Sequence, residues 1–252
     1  MSAAIIWLFG WLWWLVLPIR KRVAIDNYRL AFPERDKGEL RRTVGEMVLA
    51  YIDLLRGVRA RVEGAELLQG GVICLAGHFS AWDIGLTTAA MTVPTTATLK
   101  EPANRLPRWV IRRVRSKVDL VTLPPKGSMA AAYEALERGR MVMLVQDQRY
   151  NQGIPVPFFG ASALTSPGLA AIAWRTRRPI VGMWVTREAD GGYLLRFEAL
   201  DWPIPEDRDT AITELTARSQ QFYEACIRRK PFSWLWLHDR WKGAGAGVRT
   251  LQ

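Results

Sequence analysis

The sequence holds only two histidines, and one of them, His78, stands where it can do chemistry. It belongs to Gly77-His78-Phe79-Ser80-Ala81-Trp82-Asp83-Ile84-Gly85, which follows the apolar run Val72–Ala76 and leads into a helix-like run beginning near Ala81. A neutral imidazole near pH 7 can take the proton of an attacking hydroxyl. A carboxylate on its other nitrogen orients the ring and stabilises the imidazolium that forms. Asp83 is the candidate for that carboxylate. Five residues of α-helix turn through about 500°, so the two side chains cannot share a face if both are helical. His78 must therefore sit in the loop before the helix that Asp83 begins. Local spacing also allows a plainer reading: Ser80-x-x-Asp83 has the form of a capping box, with His78 an ordinary satisfied histidine.

The elements that would position this stretch alternate. Strand-like runs are Val72–Ala76, Thr95–Leu99, Val118–Leu123, Met141–Gln146, Ile180–Thr186 and Tyr193–Ala199, the last two forming a hairpin around Asp190-Gly191-Gly192. Helix-like runs fall near 36–55, 81–91, 103–116, 128–138, 166–177 and 207–229, with Ser166-Pro167 as a start signal. This pattern predicts a single α/β domain with a central, mostly parallel sheet flanked by helices. Asp147 follows the run Met141–Gln146 and so lies at a strand's carboxyl end, where α/β sheets place function. Arg105, Arg108, Arg112 and Arg115 recur on one face of a helix, either as a solvated stripe or as a surface for phosphates, headgroups or an acidic protein.

A formal charge of +11 implies an anionic partner, and 12 tryptophans beside that charge favour a membrane interface over nucleic acid. No helix-turn-helix, RNP or zinc-finger pattern supports nucleic-acid binding. Residues 3–19 form a Trp-rich apolar run, marginal in length for a span, with Arg20-Lys21-Arg22 directly after it. This favours a membrane-anchor segment over 1–22, either interfacial or spanning, over a simple buried first helix, with residues 23–242 kept on the cytoplasmic side and a frayed Gly/Ala-rich tail over 243–252. Cys74 and Cys226 are isolated, which suits a reducing compartment and gives no metal site. His238, with Arg240 and Lys242 near it, reads as structural.

His-x4-Asp is also the signature of the glycerolipid acyltransferase superfamily, and three further segments narrow the resemblance. Asn27-Tyr28-Arg29-Leu30-Ala31-Phe32-Pro33-Glu34, then Asp147-Gln148 with Gly153, Val156-Pro157-Phe158-Phe159-Gly160 and Thr165, then Trp234 through Lys242, resemble the bacterial lipid A biosynthesis acyltransferases of the late, lauroyl or myristoyl type. The resemblance covers about residues 20–242. It implies transfer of a fatty acyl group from acyl carrier protein or coenzyme A to a hydroxyl of an anionic membrane lipid at the cytoplasmic face of the bacterial inner membrane. No cofactor or metal is implied. It makes His78 the base and Asp83 its partner and gives Arg115, Lys100 and Asp147 to substrate or phosphate binding, to which the arginine stripe adds Arg112, while Phe158 and Phe159 are either acyl-groove lining or core. Lys100 stands where an Arg is common, and Asp239 interrupts a run that is usually more basic. The phosphatidylinositol mannoside acyltransferases share the superfamily motif. The Glu-Gly-Thr-Arg motif of lysophosphatidate enzymes is absent. A basic lipid-binding protein that keeps the fold without the activity is the reading from a different class.

Overall fold

Ile73-Cys74-Leu75-Ala76 is an unbroken buried run, as expected of a strand covered on both faces. It is the centre of the sheet. The computed structural model describes residues 2–99, 105–124 and 127–242, so Lys100 and the expected tail over 243–252 lie outside the described residues. In chain order the elements are α1 (Ser2–Leu15), α2 (Lys21–Ala31), α3 (Leu40–Leu55), β1 (Ala60–Glu63), β2 (Ile73–Ala76), α4 (Trp82–Thr92), β3 (Thr95–Thr98), α5 (Arg105–Arg115), β4 (Leu120–Leu123), α6 (Met129–Glu137), β5 (Met141–Val145), β6 (Ile154–Phe158), β7 (Ala161–Thr165), α7 (Gly168–Thr176), β8 (Ile180–Arg187), β9 (Tyr193–Ala199) and α8 (Arg208–Arg229).

The seven-stranded sheet has the order β1-β9-β8-β2-β5-β3-β4. Strands β8, β2, β5, β3 and β4 are parallel, whereas β9 returns antiparallel to β8 and β1 lies parallel to β9. Side-chain parity along β8 assigns the layers. Gly182 and Trp184 meet Phe222 of α8, while Val185 meets Gly85 of α4, so α4 and α8 cover opposite faces. A mostly parallel α/β domain is what the alternating pattern predicts.

Four elements escaped that pattern. Strand β1 is a four-residue edge with two charges, Ala60-Arg61-Val62-Glu63, too short and too polar to register. Helix α2 ends before Pro33 and reads in sequence only as a segment closing in a turn. The Pro-Phe-Phe-Gly stretch closes the β6–β7 hairpin. Its two-residue turn is Phe159-Gly160, both with positive φ, the geometry that matches strand twist. The φ of 50° at Phe159 is held by its N–H donating to Glu224 Oε1 at 2.6 Å. The start signal at Ser166-Pro167 is displaced by one position: α7 begins at Gly168, whose N–H reaches Ser166 Oγ at 3.3 Å.

Helix α1 lies against α3. A Cβ on Gly10 would run into the Arg41 carbonyl, and one on Gly45 into the Ile6 carbonyl, so glycine lets the two backbones approach. Ile6 and Trp13 are buried, whereas Trp7, Leu8, Trp11, Leu12 and Leu15 form an exposed apolar stripe. Fourteen residues of helix span about 21 Å. Among the described residues no helix is long and apolar enough to cross a membrane.

The two ends of the chain lock together. Asn27 donates to the carbonyls of Trp236 (2.8 Å) and His238 (2.6 Å), and Tyr28 packs edge-on against Trp236. The N-terminal and C-terminal segments that carried the family resemblance are thus each other's packing partners.

Candidate active site

Strands β2 and β5 are neighbours, and both deliver a functional residue just past their carboxyl ends: His78 after Ala76-Gly77, and Asp147 after Val145-Gln146. Helix α4 starts at Trp82, so His78 lies in the loop before it, as helix geometry requires. Gly77 is needed there, because a Cβ would press on Phe79, Tyr223 and Asp147. The C-terminal segment pins the same loop: Ser80 N donates to Ser233 O at 2.6 Å and Leu235 N to His78 O at 3.0 Å.

The carboxylate that meets the imidazole is not the expected one. His78 Nδ1 pairs with Asp147 Oδ1 at 2.8 Å, while Asp147 Oδ2 accepts from the His78 backbone N–H at 2.6 Å and from Trp234 Nε1 at 2.8 Å. Asp147 is fully buried, so its assignment to substrate or phosphate contact is corrected: it orients the ring. Asp83 turns instead to Arg115, whose guanidinium donates to Asp83 Oδ1 at 2.8 Å. The physical reason is reach. Asp83 sits in the first turn of α4 facing α5, whereas Asp147 emerges on the strand next to His78. The capping box does not form either, since the residue preceding α4 is Ala81 and no side chain caps it.

Electrostatics follow this pairing. Burial disfavours the charged ring of His78, but the charge and hydrogen bond of Asp147, with the charge of Asp83, outweigh it and raise the pKa. Burial would raise Asp147 too, yet His78 and the N–H of Trp234 hold its carboxyl below the usual range. Burial raises Asp83 despite the opposing Arg115 guanidinium. His238 accepts from Arg149 N through Nε2 at 3.0 Å, and burial, with the nearby positive groups, lowers it to about 4; it is a neutral structural acceptor.

A cavity of about 180 Å³ opens over the imidazole. Its wall takes His78, Ser80 and Asp83 from the loop and α4, Met47 and Tyr51 from α3, and Ile111 and Arg115 from α5. His78 is one-fifth exposed into it. Arg115, also one-tenth exposed, lies 5.3 Å from the Trp82 ring. Arg112 is exposed on α5 and is absent from the cavity wall. Phe158 and Phe159 are buried among Trp234, Trp241, Trp236 and Phe32, away from the cavity, which corrects the groove reading to core. Trp234 and Trp236 are core.

Two residues that matter were missed. Trp234 is recognisable only as one aromatic in a Trp-rich run, and its indole N–H reaches an acid 87 positions away. Tyr223, on α8, looks like ordinary helix core; its hydroxyl accepts from Gln146 N at 3.0 Å and donates to Ala76 O at 2.6 Å, touching both strand ends.

The imidazole of His78 is thus held by a buried carboxylate at the carboxyl edge of a parallel sheet, the arrangement of a general base beside a cavity. Comparison with known proteins names the family. Residues 59–243 match the family described as bacterial lipid A biosynthesis acyltransferase, and the chain belongs to that family. It is an acyltransferase of lipid biosynthesis. The chain is 24% identical to the lipid A biosynthesis palmitoleoyltransferase of Escherichia coli K12 over 92% of its own length and 82% of the relative's. It is also 24% identical to the lipid A biosynthesis lauroyltransferase of the same organism, over 91% and 81%. Among solved structures, the 1-acyl-sn-glycerophosphate acyltransferase PlsC of Thermotoga maritima aligns with 89% of this chain and 98% of its own, at 16% identity and a TM-score of 0.40.

Proposed function

We propose that this chain moves a fatty acyl group from an acyl thioester, on acyl carrier protein or coenzyme A, to a hydroxyl of a membrane glycolipid resembling a lipid A precursor. The observation that carries the mechanism is the bond from His78 Nδ1 to Asp147. With Nδ1–H donated to the carboxylate, Nε2 is the basic nitrogen. It takes the proton of the acceptor hydroxyl as that oxygen attacks the thioester carbonyl. The carbon–sulfur bond then breaks, and the proton passes from Nε2 to the departing thiolate, giving ester and thiol with no covalent acyl-enzyme. Asp147 keeps its charge throughout and stabilises the imidazolium. Arg115, with Asp83 holding its guanidinium at the cavity wall, is placed to receive negative charge from substrate.

Membrane association belongs to the same reading. The exposed stripe of α1 is apolar and is followed by Arg20-Lys21-Arg22, which suits a helix lying in the interface with cations at the level of anionic headgroups on the cytoplasmic side. The arginines of α5 suit an acidic donor protein or lipid phosphates.

The test is to incubate purified protein with an acyl carrier protein thioester, or the coenzyme A thioester, and a panel of lipid acceptors, and to look for the mass gain of one acyl chain. His78→Ala should lower turnover by about 10²–10⁴-fold. Undiminished turnover in that variant would remove His78 from the reaction.

A further inference from the structure

Strands β2 and β5 run parallel with Ala76 opposite Val145. The bond from Val142 N to Val72 O sets the phase of the ladder, and in that phase the next rung beyond Val145 joins Gln146 N to Ala76 O. That rung is absent. Gln146 N donates to the Tyr223 hydroxyl instead, and the hydroxyl donates on to Ala76 O, so a phenol oxygen stands inside the ladder where two backbones would meet. The rung after it would join His78 N to Gln146 O. This one is also diverted: His78 N donates to Asp147 Oδ2, while Gln146 O accepts from Gln220 Nε2 at 3.4 Å. The ladder therefore stops where the site begins, and it stops at one oxygen from a helix on the sheet's face.

We infer that Tyr223 is a positioning residue, a wedge whose hydroxyl holds β2 and β5 apart at their carboxyl ends so that Asp147 can close on both the backbone and the ring of His78. Tyr223 is fully buried and touches no part of the cavity, so it acts only through these strand ends. With the hydroxyl gone, Gln146 N and Ala76 O are two buried groups without partners, and the least costly remedy is to bond each other. The ladder then zips further, drawing His78 N toward Gln146 O and away from Asp147. The inference rests on His78 being the base, as proposed above.

The test is Tyr223→Phe, read first without substrate. The chain has two histidines, so imidazole ¹H–¹⁵N spectra resolve both rings, with His78→Ala assigning them. The titratable and charged groups around the His78 ring are Asp147 beyond β5, Asp83 on α4 and His238 in the C-terminal segment, with Tyr51 and Arg115 across the cavity. Of these, Asp147 is the contact the wedge governs. In a variant with cooperative thermal unfolding, His78 should titrate at lower pH than in the wild type, because the carboxylate that raises its pKa has moved off. The acid limb of the pH–rate profile should move the same way, and kcat should fall about tenfold or more with little change in KM for either substrate. In an Asp147→Asn background the same substitution should cost far less, since the partner it positions is gone. If His78 titrates and turns over in Tyr223→Phe as it does in the wild type, the wedge is wrong. If that variant does not fold, 3-fluorotyrosine at position 223 keeps the shape and strengthens donation to Ala76 at the expense of acceptance from Gln146. A displaced His78 titration there supports the wedge, and an unmoved one overturns it. Because the titration needs no turnover, failure of the base assignment and failure of the wedge are separate results.

Discussion

Asp147 offers two oxygens to three N–H donors, and that arithmetic decides what an amide in its place would do. Oδ2 faces the His78 backbone N–H and the indole N–H of Trp234, neither of which can reverse its polarity. In Asp147→Asn the NH2 group must therefore occupy the Oδ1 position, facing His78 Nδ1. The ring can answer only by presenting a lone pair at Nδ1 and moving its proton to Nε2, the wrong tautomer for a base at the cavity. Steady-state kinetics should show kcat lower by about three orders of magnitude with KM little changed. Asp83→Asn, which leaves Asp147 in place, should keep the tautomer and lose less. The titration signs follow from the same site. Asp147, held below its ordinary 3.8, adds stability above that pH that is lost as pH falls through its folded-state value. His78, raised above its ordinary 6.5, adds stability that is complete below 6.5 and lost as pH rises through its folded-state value. His238 works the other way: lowered from 6.5 to about 4, it costs stability progressively as pH falls across that interval. His238→Gln, which keeps an acceptor for Arg149 N without a proton to gain, should flatten the stability curve there, as chemical denaturation at a series of pH values would reveal.

At the scale of elements, the joint between α2 and the C-terminal segment carries more than its exposure suggests. Asn27 supplies the donors for two carbonyls, and Asn27→Ala leaves both unsatisfied, at a cost of about 1–3 kcal/mol. The melting temperature should fall on the order of 5 °C, by calorimetry. The same segment pins residues 78–80 and carries Trp234, so kcat should fall with it. The contact of α1 with α3 depends on Gly45, where Gly45→Val would push against the Ile6 carbonyl. This variant should expose the α1–α3 seam to proteolysis while leaving the sheet intact. Element type was legible in sequence wherever periodicity ran long enough, as in β8, β9 and α8. It was illegible for β1 and for the β6–β7 hairpin, where prolines and short length conceal pairing that only a neighbouring chain segment satisfies.

For the whole molecule, the exposed apolar stripe of α1 and a net charge of +11 act on one proposed partner, an anionic bilayer. Binding to vesicles containing phosphatidylglycerol should weaken with added salt, since exposed charges are screened beyond about 8–10 Å at physiological ionic strength. Replacing Leu8, Leu15 and Val16 together by serine should release the protein at any salt while cooperative unfolding persists, because these side chains are exposed. Sedimentation with vesicles measures both, and binding retained in the triple variant would assign attachment to another surface.

The linear chain by itself determined the class of fold, the loop position of His78 and the family, because strand–helix alternation, the geometry of five helical residues and four ordered segments are all local properties. Which acid meets His78 was decided only in three dimensions. His-x4-Asp keeps its spacing in sequence, but a helix start turns Asp83 toward Arg115, while parallel pairing of β2 with β5 brings Asp147 from 69 positions away to 2.8 Å. Two more distant groups, Trp234 and Tyr223, then hold that contact in place. Sheet order is a long-range property, and the partner of His78 depends on it.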